Sequence, residues 1–493
     1  MPPRPPRSLR VLMVASEAYP FSKTGGLADV TTALAKALGR RGHTVTLMTP
    51  RYRGMAGEPV VDRTRIQMAG AWFDVALAEI VLGPNARALF VDCPPLYDRA
   101  GHYNEHGIDY DDNAVRFGLL AATAVDWLGR QPDPPHVVHA HDWQTGLTPV
   151  YLRDRGGPPS VFTIHNLAYQ GNMDKAWVPR LGLGWNDFTV GGFEFYDRLS
   201  FLKAGVAFAD HVTTVSPTYA EEIQHPEYGY GFDGVMRSRR DHLTGILNGI
   251  DTDEWNPEAD PYLPQPFDAQ NLEGKAAAKR ALLDIYQLPV DEAALARPVI
   301  GMVSRMVDQK GLDLIAAMAD GLPALDAAFT VLGTGEARYQ DMWRTLAARW
   351  PDRIGVYIGY DERRAHLIEA GADIFLMPSR YEPCGLNQMY SLRYGTVPVV
   401  RAVGGLVDTV RPFNRRNGQG TGFLFADYRP AALAEALEAA LALYRRQPRS
   451  WARLQKNGMR KDFSWDRSAA EYVKVYKGVM STRRSTPSGG GGH

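Results

Sequence analysis

The chain has 493 residues, of which 45% are apolar and 22% are charged. A globular chain of this length is expected to form two or three domains, because a single hydrophobic core stops growing well below it. Lysine plus arginine equals aspartate plus glutamate at 55 each, so no net charge favours nucleic acid or an anionic membrane as a partner. Cys93 and Cys384 are the two cysteines, which disfavours a disulfide framework and predicts a reducing, cytoplasmic compartment.

The two ends of the chain are predicted to lie outside the fold. Arginines precede an apolar stretch at the start, but that stretch covers only residues 11–15 and is too short for a signal peptide. No run of about 18 apolar residues predicts a membrane span. We therefore expect residues 1–8 to be a disordered tail and residues 481–493, which end in STPSGGGGH, to be a flexible one.

Residues 9–49 predict a βαβ unit. The apolar run 11–14 has the length and flanks of a buried parallel strand. A helix with apolar residues at helical spacing follows Gly25-Gly26 and ends at Gly42, and residues 44–48 supply the next strand. Further strands are predicted at 88–91, 137–140, 161–164 and 212–215.

A second series of strands and helices begins near residue 297. Its strands are predicted at 299–303, 330–332, 356–358, 374–377 and 397–400. Such alternation indicates parallel sheets with helices on both faces, an α/β class with two Rossmann-like domains. A polar, proline-rich stretch within 251–275 is predicted to be the interdomain linker between domains 9–250 and 276–462.

Similar glycine pairs occur in the two series, Gly25-Gly26-Leu-Ala-Asp and Gly404-Gly405-Leu-Val-Asp. Both pairs precede a helix, where backbone amides can bind an anion at the carboxyl edge of a sheet. Lys23 adds a cation to the first pair. The alternative is that paired glycines only allow tight turns. Neither G-x-G-x-x-G nor the Walker spacing is present, so a nicotinamide site or an ordinary P-loop is disfavoured.

Two strand ends in the second series carry charged residues. Arg305 and Lys310 follow the strand 299–303, and two cations there can neutralise a departing diphosphate without a metal. The alternative is that they only decorate a loop. Glu382 follows the strand 374–377 and precedes a helix, where it can accept hydrogen bonds from a ligand or act only as a cap.

The segment His136–Asp142 is the closest approach to a metal-binding pattern in the sequence. Its histidines, His136, His139 and His141, have no companion ligands at metal spacing, so a metal site is disfavoured. Asp142 and His165-Asn166 each close a strand and are candidates for sugar contacts. No Ser-His-Asp triad or G-x-S-x-G elbow is evident, which leaves departure of a phosphate group as the leading chemistry.

Together these segments resemble the family of bacterial glycogen synthases and plant starch synthases, over residues 11 to about 476. Each string is weak alone, but six in the same order are specific. The matching segments are KTGGLADV (23–30), HDWQ (141–144), IHN (164–166), NGID (248–251), Arg305 with QKG (309–311), and EPCGL (382–386).

This resemblance implies a B-type glycosyltransferase fold, with two Rossmann-like domains facing across a deep cleft. It implies that the C-terminal helix, 463–480, packs back onto the first domain. The implied activity is an ADP-glucose:α-1,4-glucan glucosyltransferase of glycogen biosynthesis, which acts with retention on the non-reducing 4-hydroxyl. No cofactor and no metal are expected, and the partners are ADP-glucose and glycogen or a maltooligosaccharide.

The resemblance also implies a role for each matching residue. Arg305 and Lys310 would bind the diphosphate, and His165 would hold the transferred glucose. Glu382, with the amides of Cys384, Gly385, Leu386 and Asn387, would bind glucose hydroxyls and phosphate. The catalytic set is thus His165, Arg305, Lys310, Glu382 and Asp142. The remaining nucleotide-sugar contacts would be Lys23, Gly25, Gly26, Asp29, Asn166, Asn248 and Tyr360.

Two positions and two alternatives qualify this assignment. Asn387 stands where many bacterial members have Thr, and Tyr390 stands where related transferases have a second glutamate. A UDP-glucose-dependent transferase of the same fold remains open, whereas no segment suggests the pyridoxal lysine of a phosphorylase. A silent glucan- or nucleotide-binding protein also remains open, although it would have little need for both phosphate cations and a sugar clamp.

Overall fold

A computed structural model describes residues 7–55 and 57–485. The chain divides into two compact units. Unit 1 consists of Met1–Val215, Ala220–Gly249 and Trp465–His493, and unit 2 of Ser216–Tyr219 and Ile250–Ser464. The predicted tails lie mostly outside the described residues, which begin at 7 and end at 485. No helix in the described part of the chain is both long and apolar enough to cross a membrane.

Unit 1 is built around a nine-stranded sheet with helices on both faces. Its strands are β1 (Arg10–Val14), β2 (Thr44–Pro50), β3 (Val60–Met68), β4 (Ala71–Gly83), β5 (Ala86–Asp92), β6 (Asn104–Glu105), β7 (Ile108–Asp109), β8 (Val137–His141), β9 (Ser160–Ile164), β10 (Asn172–Asp174), β11 (Glu194–Phe195), β12 (Arg198–Ser200), β13 (His211–Thr214) and β14 (Leu243–Gly245). Its first helices in chain order are α1 (Gly26–Arg40), α2 (Pro94–Tyr97), α3 (Asn113–Gly129), α4 (Thr148–Asp154), α5 (Trp177–Arg180), α6 (Phe201–Phe208), α7 (Pro217–Glu222), α8 (Pro226–Gly229) and α9 (Asp233–Ser238). Helix α7 is divided between the units, with its residues up to Tyr219 in unit 2 and those from Ala220 in unit 1.

The large sheet runs in the order β14-β13-β9-β8-β1-β2-β5-β4-β3. The seven strands from β14 to β5 are parallel, and β4 pairs antiparallel with both β5 and β3. The β3–β4 hairpin was not predicted, because polar residues such as Asp62 and Arg65 interrupt any apolar run in β3. The sheet places the ends of β1, β8 and β9 side by side.

Strand β1 is apolar throughout because both of its faces are covered. Leu12 and Val14 pack on one face with residues of α3, and Val11 and Met13 pack on the other with residues of α1. Side chains of a strand alternate between the faces of the sheet, so two cores require a continuous apolar run.

Unit 2 has a six-stranded, all-parallel sheet in the order β17-β16-β15-β18-β19-β20. Its strands are β15 (Val299–Val303), β16 (Ala328–Gly333), β17 (Ile354–Ile358), β18 (Ile374–Met377), β19 (Val397–Arg401) and β20 (Phe423–Phe425). Its helices are α10 (Glu273–Ile285), α11 (Glu292–Ala296), α12 (Leu312–Ala317), α13 (Ala337–Arg349), α14 (Glu362–Gly371), α15 (Asn387–Arg393), α16 (Gly404–Thr409), α17 (Pro430–Arg446) and α18 (Pro448–Met459). The strands predicted in both series are confirmed, with ends that differ by at most two residues.

The last helix, α19 (Trp465–Ser485), belongs to unit 1. Tyr472 and Tyr476 are fully buried against the core that α1 covers. The helix begins two residues after the predicted bound of 463 and continues five residues past 480. Arg483 anchors its last turn, with its guanidinium Nε 3.3 Å from a carboxylate oxygen of Asp210. Residues 481–485 are thus helical, where the sequence predicted a flexible tail.

The predicted linker 251–275 differs from expectation, since it lies in unit 2 and packs there. The Trp255 ring stacks on His366 of α14, with ring centroids 4.0 Å apart. Asp260 is buried and accepts hydrogen bonds from His366 Nδ1 at 2.7 Å and from the Tyr394 hydroxyl at 2.6 Å. Its prolines and polar residues form loops, as predicted, but helix α10 begins at Glu273, inside the predicted linker.

This packing predicts a pH-dependent contribution to stability. Burial alone would lower the pKa of His366, but hydrogen bonds and charge from Asp260 and Glu362 raise it to about 9. Because the pKa of His366 is higher in the folded protein, protonation of His366 contributes its full share to folding stability below the unfolded pKa of 6.5. This contribution is lost as the pH rises through 9. Chemical denaturation measures the free energy of unfolding. The difference in this free energy between wild type and His366→Gln should shrink by about 3 kcal/mol from about pH 6 to about pH 10. An equal change for the exposed control His225→Gln would contradict this assignment.

Candidate active site

In unit 1, the candidate residues follow the carboxyl ends of β1, β8 and β9, which are neighbours in the sheet. We call Glu17, Lys23, Asp142 and His165 the unit 1 cluster. Glu17 was not singled out from the sequence, and it is 2% exposed. Its carboxylate accepts hydrogen bonds from the Thr24 amide at 2.6 Å and from the Thr24 hydroxyl at 2.5 Å. The Tyr103 hydroxyl also donates a hydrogen bond to this carboxylate. Glu17 therefore fixes the loop that carries Lys23.

Lys23 lies on the surface of this loop. Its ammonium is 2.9 Å from a carboxylate oxygen of Asp29 and 5.0 Å from the centroid of the Tyr19 ring. Gly25 has extended backbone with φ −160°, and a Cβ added there would meet no heavy atom within 4 Å. The fold therefore does not require glycine at position 25, which leaves the amides at the start of α1 open to a ligand.

The second glycine pair differs in this respect. A Cβ on Gly405 would lie 2.2 Å from the Cys384 carbonyl oxygen, so glycine is needed there for close packing. Asp408, the counterpart of Asp29, accepts hydrogen bonds from the amide and hydroxyl of Thr218 at 2.9 and 2.8 Å. The packing explanation thus accounts for Gly405 and leaves Gly25 as the better candidate for ligand approach.

Asp142 connects the ends of β8 and β9. It has a positive φ of 58°, an uncommon conformation for a residue other than glycine. Its carboxylate accepts a hydrogen bond from the His165 backbone amide at 2.7 Å and another from the backbone amide of Asn166. Burial raises the pKa of Asp142 to about 7 even though these amides lower it. This side chain therefore positions the backbone of His165 and Asn166.

The His165 ring lies beside a second imidazole. Its Nε2 is 3.1 Å from Nδ1 of His141, and burial lowers the pKa of His165 to about 3. The ring is therefore neutral at physiological pH. His139 and His141 share one face of β8, and their ring centroids are 3.9 Å apart. Asn248 is buried, and its side-chain Oδ1 has no hydrogen-bond partner in the described structure.

In unit 2, the loops after β15 and β18 meet because these strands are neighbours in the sheet. The Lys310 ammonium donates to Glu382 Oε2 at 2.6 Å, and the Ser379 hydroxyl donates to the same oxygen at 3.0 Å. The Lys310 and Glu382 side chains are 17% and 7% exposed. The structure thus brings together two of the predicted catalytic residues as a largely buried ion pair, which we call the unit 2 pair.

Gly311 sets the approach of these two loops. Its φ of +74° lies in the left-handed region, and an added Cβ would be 2.0 Å from the Pro378 carbonyl oxygen. Both features require glycine next to Lys310.

The substitution Gly311→Ala is therefore expected to destabilise unit 2 by about 1–3 kcal/mol. Chemical denaturation followed by fluorescence measures this change. The matched control is Gly321→Ala in the 3₁₀ helix Ala319–Leu325, where an added Cβ meets nothing within 4 Å. Equal stabilities of the two variants would contradict the steric assignment.

The other predicted site residues of unit 2 lie outside the Lys310–Glu382 ion pair. Arg305 is exposed and donates to Gln309 Oε1 at 3.0 Å. Asn387 donates from Nδ2 to the Val303 carbonyl at 2.9 Å, which ties α15 to the end of β15. Tyr360 is 73% exposed and follows β17, an edge strand two places from β15. The structure therefore does not bring Tyr360 into contact with the unit 2 pair.

The segment Cys384–Leu386 lies between β18 and α15. Gly385 has a φ of +72°, and the Gln388 side chain donates to the carbonyls of Cys384 and Gly385 at 3.0 and 2.9 Å. The Gly405 amide donates to the Glu382 carbonyl at 3.1 Å. These bonds fix the backbone around Glu382.

Metal-ligating residues come close together elsewhere. In residues 7–55 and 57–485, the group with ligand atoms within 4.8 Å of one another is Glu254, Glu362 and His366. His366 already pairs with Asp260 there. The histidines of β8 do not form such a group in the described chain, and independence from metal stays a prediction.

Comparisons with known proteins bear on both units. Residues 10–238 match the family described as "Starch synthase catalytic domain", and residues 289–459 match "Glycosyl transferases group 1". The chain is 49% identical to the glycogen synthase of Anaeromyxobacter dehalogenans strain 2CP-1 over 488 residues, 96% of this chain and 100% of that protein. It is 47% identical to glycogen synthase 1 of Methylococcus capsulatus over 486 residues, 96% and 97% of the two chains.

Solved structures give the same result. The catalytic domain of starch synthase IV from Arabidopsis thaliana, bound to ADP and acarbose, is 32% identical with a TM-score of 0.87. That match covers 96% of this chain and 100% of the other. Sucrose-phosphate synthase from Thermosynechococcus elongatus is 18% identical with a TM-score of 0.62, over 96% of this chain and 100% of the other, which indicates a shared fold.

Proposed function

Because this chain belongs to the family of glycogen and starch synthases, we propose that it transfers glucose from ADP-glucose to an α-1,4-glucan with retention of configuration. Its fold is that of the B-type glycosyltransferases, as the sequence predicted. A reducing cytoplasm, where the buried Cys93 and Cys384 remain thiols, is the compartment we propose.

The unit 2 pair is the observation that carries this proposal. Lys310 is held 2.6 Å from Glu382 at the edge where β15 and β18 end side by side. Ligands in open α/β sheets bind at this carboxyl edge. A fixed ammonium there can stabilise the negative charge that develops on a departing diphosphate, while Glu382 orients it and accepts from sugar hydroxyls. Arg305, on the loop after β15, adds a second cation.

The unit 1 cluster is proposed to bind the transferred glucose and the nucleotide phosphates. His165 is neutral, so its ring nitrogen that does not face His141 can contact a sugar hydroxyl without adding charge. Asp142 holds its backbone, and Asn166 and Asn248 supply amide groups for the sugar. The loop of Lys23, with the open amides after Gly25, is suited to phosphate oxygens.

In the proposed reaction, the bond between glucose C1 and the β-phosphate oxygen breaks, and its electron pair goes to ADP. The acceptor 4-hydroxyl oxygen forms the new bond to C1 on the same face. Its proton goes to the departing phosphate oxygen, which completes the balance. Cationic side chains lower the barrier because phosphate charge grows as the sugar becomes oxocarbenium-like.

Two features of the reaction need direct measurement. ADP as the leaving nucleotide is supported by the similar starch synthase, whose solved structure contains ADP. Since Lys310 and Arg305 supply positive charge, the reaction is proposed to need no divalent metal. UDP-glucose is the competing donor, and a silent binding protein is the competing class.

The deciding assay incubates the full chain with glycogen and either ADP-glucose or UDP-glucose, each with and without EDTA. Chain elongation and released nucleotide are scored together, because a hydrolase releases nucleotide without elongation. We expect elongation with ADP-glucose that EDTA leaves unchanged. Faster elongation with UDP-glucose would overturn the donor assignment, and no elongation with either would favour a binding protein.

A further inference from the structure

A row of buried rings extends from helix α19 to the end of β9 within unit 1. The Tyr476 hydroxyl of α19 is 2.8 Å from His139 Nδ1, and His139 Nε2 is 2.5 Å from the Thr163 hydroxyl. The His139 ring packs on the His141 ring, and His141 Nδ1 is 3.1 Å from His165 Nε2. The row thus links a residue of the last helix to a proposed glucose-binding side chain.

Both ring nitrogens of His139 have a hydrogen-bonding partner. Burial, with a smaller contribution from His165, lowers the pKa of His139 to about 3, so the ring is neutral and carries one N–H. The Tyr476 hydroxyl meets Nδ1, the Thr163 hydroxyl meets Nε2, and the Thr163 hydroxyl is 2.6 Å from that of Thr213. Since a hydroxyl can donate or accept, both ring nitrogens are satisfied in either tautomer, and the His139 ring is held in place.

Hydrogen-bond accounting assigns the proton of His141. Burial holds the pKa of His141 well below its usual value, so this ring also carries a single proton. Its buried Nε2 has no hydrogen-bond partner in the described structure. An N–H left unpaired at that atom would be costlier than an unpaired acceptor, because orphaned buried donors are the rarer case. The proton therefore belongs on Nδ1, where it is donated to His165.

We infer that His141 is a positioning residue that holds His165 in the Nδ1–H tautomer, with His139 and Tyr476 fixing the His141 ring from behind. His165 Nε2 is then occupied as an acceptor. Its Nδ1–H makes no hydrogen bond in residues 7–55 and 57–485 and is the donor presented to a substrate oxygen. This inference rests on the proposed function for its consequence in catalysis, but the tautomer itself is a property of the protein alone.

The tautomer is tested by nitrogen NMR of ¹⁵N-histidine-labelled full-length protein. His165 is assigned by comparison with His165→Ala. We expect a protonated Nδ1 and an unprotonated Nε2 in wild type. His141→Leu removes the donor, so the His165 signals should move toward a tautomer mixture. His141→Asn places an amide N–H near the position of Nδ1 and should restore the wild-type pattern. A protonated Nε2 in wild type, or no change in His141→Leu, would overturn the inference.

Activity provides the second readout. His141→Leu should lower kcat by about 10- to 100-fold, the range seen when a histidine that binds a metal loses the partner that orients its ring, and His141→Asn should recover most of it. Equal losses in the two variants, with unchanged melting temperatures, would contradict a role through the donated proton. If wild type synthesised no glucan, the proposed function would fail, whereas the NMR result would still decide the tautomer.

Tyr476→Phe tests the far end of the row. Loss of its hydroxyl leaves His139 Nδ1 without its hydrogen-bond partner, and kcat should fall severalfold. Tyr97→Phe is the matched control, because Tyr97 is equally buried and donates to the Arg116 carbonyl at 2.6 Å without touching the histidines. An equal fall in kcat for both variants would show that the Tyr476 effect is only structural.

Discussion

Lys310→Ala is expected to lower kcat by about 10²- to 10³-fold, the loss seen when one group that meets transition-state charge is removed. The expectation follows from its place 2.6 Å from Glu382, at the carboxyl edge of the unit 2 sheet. In the proposed mechanism Lys310 meets charge that grows only as the nucleotide leaves, so KM for ADP-glucose should change less than kcat. Steady-state kinetics with glycogen as the acceptor measures both constants.

The control for Lys310 must separate chemistry from stability. Removing the ammonium leaves Glu382 with less compensation in a buried position, so the melting temperature should also fall. Assays are therefore run well below the melting temperature of the variant. Arg338→Ala removes an exposed cation of α13 that pairs with Asp308, a residue of the loop that carries Lys310. This variant should keep the wild-type kcat. Near-normal kcat in Lys310→Ala would remove the proposed leaving-group role.

His165→Ala is expected to lower kcat/KM by about 100-fold or more, because the variant loses the side chain that we propose as a fixed donor to the transferred glucose. The backbone should stay in place, because the hydrogen bond that Asp142 accepts at 2.7 Å comes from the backbone amide of residue 165 and does not involve the imidazole. His165→Asn should keep part of the activity, because its amide can donate from a position near Nδ1. Initial rates over a range of ADP-glucose concentrations measure these differences.

His211→Ala is the matched control for this substitution. His211 begins β13, which pairs with β9, so it lies at the amino ends of these parallel strands and not at the carboxyl ends, and its Nε2 is 2.9 Å from the Thr244 hydroxyl. It should keep wild-type kcat/KM. A His165→Ala variant as active as His211→Ala would show that the transferred glucose is not held by His165.

The strands could be predicted from the sequence because they are buried on both faces. The runs 299–303 and 374–377 are apolar throughout and lie centrally in the unit 2 sheet, so their predicted bounds are those of β15 and β18. The hairpin β3–β4 lies at the sheet edge, where one face is exposed and polar residues are tolerated. An edge of this kind gives little periodic signal.

Contacts between distant residues could not be predicted. Glu17 follows β1 as one acidic residue among many, and only its hydrogen bonds to Thr24 and Tyr103 show that it fixes a loop. Trp255 and Asp260 lie in a stretch with the composition of a linker, but their partners are on helices more than 100 residues later. Composition describes local preference and does not report such pairings.

The paired glycines show that similar sequence segments can differ in local structure. Gly25 and Gly404 occupy equivalent places in two similar segments and invite the same interpretation. In the structure, Gly25 has extended backbone with φ −160° and an added Cβ there would meet no heavy atom within 4 Å, whereas Gly404 has a φ of +44°, in the left-handed region that favours glycine. Only the backbone conformation and the neighbours of each residue distinguish the two positions.

The most direct test of glucose transfer with retention is the anomeric configuration of the first bond formed. The full chain is incubated with maltotriose and ADP-glucose labelled with ¹³C at glucose C1, and the product is followed by NMR. A labelled, non-reducing α-1,4-linked glucose, formed as ADP appears, is the predicted product. A labelled β-linkage, or labelled free glucose in place of a longer oligosaccharide, would contradict the mechanism.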